Sequence, residues 1–199
     1  MSAQAKTWPT LVEIVIPDSA FDVRFMEALC LSLLTGLSAQ IEFHLPWSPV
    51  PVTGQTFMVL LTGALLGRRW GMASMAMYLA QGCAGLPVFA GGAAGFHWLL
   101  GPTGGYLLGF VPAAWLTGRL AERGWGRSPL TAAAAMAIGS SVIFAFGLAG
   151  LARFVPSGKL FALGLFPFIP GDLAKVVFAS AALPFGWKLL DREIDFSSP

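Results

Sequence analysis

Charge is what this 199-residue chain has least of: Asp, Glu, Lys and Arg make up 11% of it, while 56% of its residues are apolar. A soluble domain carries about 25% charged residues, so this surface cannot be covered by solvated groups and must face lipid. The mean hydropathy of +0.72 agrees. Histidine is nearly absent too: His44 and His97 are the only two, and neither stands in a metal-ligand spacing such as HisGluXaaXaaHis, which argues against a zinc hydrolase. No GlyXaaXaaXaaXaaGlyLys[Ser/Thr] phosphate loop occurs, so ATP is not used by that route. The formal charge of +2 gives no electrostatic case for nucleic acid. Cys30 and Cys83 lie in apolar stretches and read as small apolar thiols of a helix bundle, with neither a disulfide nor a metal assigned. The amino-terminal run has a short apolar patch broken by Glu13 and no small-residue cleavage site, which argues against a removable signal peptide.

What is present is a series of apolar stretches, near 25–42, 53–67, 70–86, 102–120, 129–152 and 170–190, joined by short Gly/Pro-rich connections. A spanning helix needs roughly 20 residues, so the expectation is an all-α membrane protein, a compact bundle of six transmembrane helices. Residues 1–24 read as a polar cytoplasmic or surface-lying tail, 25–190 as the membrane domain and 191–199 as a cytoplasmic tail. With the amino terminus inside, the inner face collects Lys6, Arg24, Arg68, Arg69, Arg119, Arg123, Arg127, Lys188 and Arg192, against Arg153 and Lys159 outside. That asymmetry follows the retention of Lys and Arg in cytoplasmic loops and places both termini in the cytoplasm. Between the third and fourth stretches, Gly85 to Gly105 holds seven glycines and reads as a reentrant or lid-like outer connection, or as a flexible exterior loop.

Charges inside spans are costly and mark function. The sixth stretch opens PheProPheIleProGlyAspLeuAlaLys, with Asp172 in the first turn and Lys175 three residues on, on the same face. A carboxylate there is favoured by the helix dipole. The pair reads either as a ligand contact or as an ion pair stapling the helix start. Gln55, Gln81, Thr103 and Tyr106 fall at the same outer level, with Phe89 and Trp98 among the surrounding aromatics; together they describe a small-molecule pocket with apolar walls and a few fixed polar groups. Ser140 and Ser141 lack any span histidine to act as base, so an intramembrane hydrolase is a distant alternative. Ala28, Ser32 and Gly36 form a small-residue stripe on the first span, either a docking face or internal packing, and Gly105 with Gly109 reads as internal packing.

GlyLeuProValPheAlaGlyGly at 85–92, LeuXaaGlyProThrGlyGlyTyrLeuXaaGlyPhe at 99–110 and ProGlyAspXaaXaaLys at 170–175 resemble the BioY family over about residues 25–190. These are biotin-binding S components of energy-coupling-factor transporters. The resemblance implies a six-helix bundle that binds biotin near its outer face under closing loops and carries it inward without chemical change. A transmembrane coupling protein and a pair of cytoplasmic ATPases would be its partners, and no cofactor is implied. A self-sufficient carrier for biotin or a related heterocycle is the alternative. Biotin's ureido group offers two N–H donors and a carbonyl, and its tail a carboxylate. The resemblance therefore implies that Asp172 accepts from the ureido and that Lys175 donates to the ureido oxygen or the tail. Gln55, Gln81, Thr103 and Tyr106 would be further polar contacts, with Phe89 and Trp98 on the ring or lid. S components typically contact the coupling protein through an AlaXaaXaaXaaAla pattern on helix one, from which Ala28, Ser32, Gly36 departs.

Overall fold

The computed structural model describes residues 8–16 and 20–197, with side chains described as far as Leu189. The chain is predominantly helical. A short helix α1 (Leu11–Val15) starts in a capping box: the Thr10 hydroxyl accepts from the Glu13 amide, and the Glu13 carboxylate accepts from the Thr10 amide. Helix α2 (Phe21–Ala39) follows, then two-residue strands β1 (Glu42–Phe43) and β2 (Val52–Thr53). Beyond them come α3 (Gln55–Cys83), α4 (His97–Leu100), α5 (Gly104–Ala121), α6 (Pro129–Leu151), α7 (Leu160–Gly164) and α8 (Ile169–Ser197).

Helix α3 is one run of residues but two antiparallel rods. Gly67 interrupts it with φ 76° and ψ −179°, a conformation closed to other residues without strain. The chain then folds back, so that a Cβ on Gly71 would lie 2.8 Å from the Gly63 Cα. Gln55 and Tyr78, which a straight helix would hold about 35 Å apart, are hydrogen-bonded. The stretches expected at 53–67 and 70–86 are these two rods.

Helix α5 is the axis of the bundle, packing on both α3 and α6. Its small residues make the approach possible: a Cβ on Gly105 would meet the Phe146 carbonyl at 2.4 Å, and one on Gly118 would meet the Gly67 carbonyl carbon at 2.4 Å. Gly109 faces Phe146 and Ile143 in the same way, so Gly105 and Gly109 are indeed internal packing. Helix α6 begins at Ser128, whose hydroxyl accepts from the Thr131 amide, with Pro129 in the first turn where its missing N–H costs nothing. Among the described residues, Pro129–Leu151 and Ser157–Leu189 are the segments long and apolar enough to cross a membrane by length and composition. The outer surface carries exposed Leu33, Leu34, Leu37, Leu108, Phe146, Val177, Phe178 and Phe185. Apolar exposure on this scale marks a surface built for a nonaqueous neighbour.

The helices do not end where the apolar stretches do. Helix α2 starts at Phe21, ahead of the apolar stretch read near 25, and Arg24 and Glu27, 3.3 Å apart, pair along this polar turn. Helix α8 runs on to Ser197, past the apolar stretch read near 170–190. The bundle is not purely helical, for β1 and β2 form a small antiparallel hairpin with Glu42 opposite Thr53. Cys30 is exposed on α2 and Cys83 is partly buried at the end of α3; both are free thiols. Lys6 lies outside the described residues, as does the side chain of Arg192.

The two ends of the bundle differ. At one, the Glu122 carboxylate accepts from the Arg68 backbone amide at 2.9 Å and lies 3.4 Å from its guanidinium. There too, Arg127 sits between the rings of Trp8 and Trp187, at 4.3 and 4.2 Å. At the other end the hairpin and the glycine-rich segment close over a cavity. Gly67→Ala is expected to destabilise the protein by about 1–3 kcal/mol, because the left-handed backbone becomes strained and the new methyl meets Glu122. Thermal unfolding in detergent reads this as a lowered midpoint, and an unchanged midpoint would show that the fold-back does not depend on this glycine.

Candidate ligand-binding site

The start of α8 positions the two charges. Pro170 stands in its first turn, and Asp172 and Lys175 follow at helical spacing toward the interior. Their partners are not each other. The Ser140 hydroxyl of α6 donates to Asp172 Oδ1 at 2.9 Å. Lys175 Nζ donates to the Thr53 carbonyl at 2.8 Å and to Thr56 Oγ1 at 2.6 Å. No direct ion pair joins the two among the described residues, which sets aside the reading of a mere staple at the helix start. Each charge keeps unused capacity: Asp172 Oδ2 takes no protein hydrogen bond among the described residues, and the ammonium has a third N–H.

Both line a cavity of about 200 Å³. Its walls are mostly apolar, with Val50, Val52, Leu107, Phe110, Phe144 and Phe168, while Thr53, Thr56, Thr103, Glu42 and His44 add polar edges. Gln55, Phe89, Trp98 and Tyr106 also line it. Seven of the eight residues expected around the ligand are thus brought together, but not all in the way anticipated. Gln55 is held by the protein: its Oε1 accepts from Thr53 Oγ1 at 2.9 Å, and its Nε2 donates to the Tyr78 hydroxyl. Tyr78 in turn donates to the Val88 carbonyl at 3.0 Å. Tyr106 is also turned away, donating to the Gly164 carbonyl at 2.6 Å, so it offers the cavity a ring face instead of a hydroxyl. Phe89 is buried edge-on to Tyr78, with ring centroids 5.6 Å apart, and Trp98 stands partly exposed.

Gln81 lies outside the cavity. Its Nε2 donates to Ser32 Oγ at 2.9 Å, tying α3 to α2, because its place on the helix points it at the neighbouring span. The stripe of Ala28, Ser32 and Gly36 is likewise turned inward. All three are buried; Ser74 Oγ donates to the Ala28 carbonyl at 2.7 Å, and a Cβ on Gly36 would touch Val88. These small residues let α2 close on α3 and the glycine-rich segment in the chain by itself. Ser140 is a partner of Asp172, and Ser141 donates to the Ala137 carbonyl, the uses expected of serines within a span.

Sequence reasoning missed Glu42, His44, Thr53, Thr56 and Tyr78. The two-residue strands carry no periodicity to read, and only the position of Thr56 one residue past Gln55 gave any signal. The mouth is tied by Gln40, also unforeseen, whose Nε2 donates to the Phe89 carbonyl at 3.1 Å while its Oε1 accepts from the Gly92 amide at 2.9 Å.

A helical bundle whose one end encloses an apolar chamber with two separated, opposite charges defines a small-molecule-binding protein built for a membrane. A family model described as the BioY family matches residues 18–192, and the chain belongs to that family of membrane transporters. It is 40% identical over 146 residues to a probable biotin transporter BioY of Pyrococcus horikoshii, covering 73% of this chain and 85% of that one. With the biotin transporter BioY of Rhizobium etli it shares 36% identity over 177 residues, 83% of this chain and 94% of the other. Its fold is similar to that of the S-component for biotin from an ECF-type ABC transporter, at a TM-score of 0.73 and 22% identity, covering 84% of this chain and 92% of that one.

Gln40→Leu removes both ties of the glycine-rich segment, each worth about 1 kcal/mol. Amide hydrogen exchange at Gly92 is expected to rise about fivefold or more; an unchanged rate would place the restraint elsewhere.

Proposed function

We propose that this chain is a biotin-binding membrane subunit that takes biotin up, energised by an ATP-hydrolysing module it does not itself contain. The observation that carries the reading is the separation of Asp172 and Lys175 within the cavity. Two opposite charges that bind other groups and leave an acceptor and a donor free suit a ligand with its own N–H groups and oxygens. Asp172 would accept from the ureido N–H groups, Lys175 would supply the cation for a ligand oxygen, and the aromatic walls would pack on the thioether ring. The names borne by the relatives support biotin as that ligand, and binding and release without chemistry on biotin is the mode proposed.

The six apolar stretches support six spans: α2, the two rods of α3, α5, α6 and α8. The excess of Lys and Arg at the end opposite the cavity supports cytoplasmic termini and an outward cavity. The missing phosphate loop supports partners, a transmembrane coupling protein and an ATPase pair, as the source of energy.

Titration of the detergent-purified full chain with biotin, followed through tryptophan fluorescence, tests this directly. Saturable binding is expected, with no response to an analogue lacking the ureido ring. Asp172→Ala should weaken binding about five- to 150-fold, the cost of about 1–3 kcal/mol for leaving ligand donors unpaired. Gln81→Met, outside the cavity lining, should leave the affinity within about twofold of the parent. Equal responses to biotin and the analogue, or parental affinity in Asp172→Ala, would contradict the reading.

A further inference from the structure

A hydroxyl inside an apolar helix ordinarily returns its proton to the carbonyl three or four residues earlier. Ser32, Thr35, Ser38, Ser141 and Ser180 all do so here. Ser140 does not: only 3% exposed, it donates across to the Asp172 carboxylate of α8, at 2.9 Å from Oδ1. Its own place is fixed, because a Cβ on the preceding Gly139 would collide with Leu60 of α3 and Thr117 of α5, so α6 lies close on both. Among the described residues this is the hydrogen bond that joins side chains of α6 and α8.

The start of α8 needs such a tie. None of its residues from Ile169 to Phe178 is buried, and Ala179 is the first that is. Apolar packing is non-directional and here it is sparse, so it sets neither the rotation of the helix start nor the plane of a carboxylate on it. A hydrogen bond is directional and restrains both. Lys175 anchors the next turn to Thr53 and Thr56, which leaves the carboxylate itself to Ser140. The serine is also a neutral donor: it satisfies one oxygen without cancelling the charge, as a cation in its place would, and leaves Oδ2 a charged acceptor. We propose that Ser140 is a positioning residue for the ligand: by holding Oδ1 it orients the Asp172 carboxylate so that Oδ2 accepts from the ureido N–H groups. The assignment rests on the biotin reading and deepens it.

The test is a double-mutant cycle on the full chain, with biotin titrated into the parent, Ser140→Ala, Asp172→Ala and the double variant. Ser140→Ala removes the donor without adding bulk. It is expected to weaken biotin about three- to tenfold in the parent, and by less than about twofold once Asp172 is already gone. Ser140→Cys keeps the shape with a weaker donor, so its affinity should fall between those of Ser140→Ala and the parent, and it should be equally silent beside Asp172→Ala. Unliganded melting temperatures show which variants are folded, and the cysteine variant carries the cycle should the alanine variant fail to fold. A serine that merely packs would cost the same factor with and without Asp172. That result, or parental affinity in Ser140→Ala, would overturn the assignment while leaving the biotin reading intact. A parent that binds no biotin, or Asp172→Ala with parental affinity, would overturn that reading and this assignment with it.

Discussion

Burying an ammonium and a carboxylate near the end of an apolar helix is the constraint around which the cavity is arranged. An isolated ion in such surroundings costs several kcal/mol, so each must be given partners. The fold supplies them from different elements: Ser140 of α6 for Asp172, and the backbone of β2 with Thr56 of α3 for Lys175. The consequence is that the two charges, though near enough to feel one another, form no direct ion pair. A direct pair would have consumed the bonding capacity that now faces the chamber.

The same bonds connect the ligand site to its cover. Lys175 grips the strand that pairs with Glu42, and Thr53 on that strand donates to Gln55, which binds Tyr78, which binds the carbonyl of Val88. The chain of contacts runs from α8 through the hairpin to the start of the glycine-rich segment. A change at the floor is therefore physically joined to both pieces of the mouth. On the far side, small residues along α5 and the stripe on α2 let helices approach closely, which fixes the frame on which the mouth is hung.

Much of the frame was legible in the sequence because it depends on composition. The uncharged run within α6 reads as a span whatever surrounds it, and the two stretches on either side of Gly67 were separable because Arg68 and Arg69 cannot sit in mid-span. Asp172 and Lys175 stood out because charges are so few. Facing directions were not legible. Gln81 lies at the level of the site but on the wrong side of its helix, and Tyr106 and Gln55 reach the cavity with their polar atoms bonded to the protein. What Ala28, Ser32 and Gly36 meet in the chain by itself is decided only by the packing of α2 on α3. Glu42 was passed over because a carboxylate in a polar loop resembles a solvated one until the hairpin folds it over the chamber.

The central claim is that the free valences of Asp172 and Lys175 are ligand contacts. An experimental structure of the full chain with biotin bound tests it most directly. The account predicts density for the vitamin inside the chamber, within hydrogen-bond distance of Asp172 Oδ2 and Lys175 Nζ and against Phe168 and Phe110. Density elsewhere on the molecule, or a chamber in which the lysine has swung onto the aspartate and excludes the ligand, would contradict it.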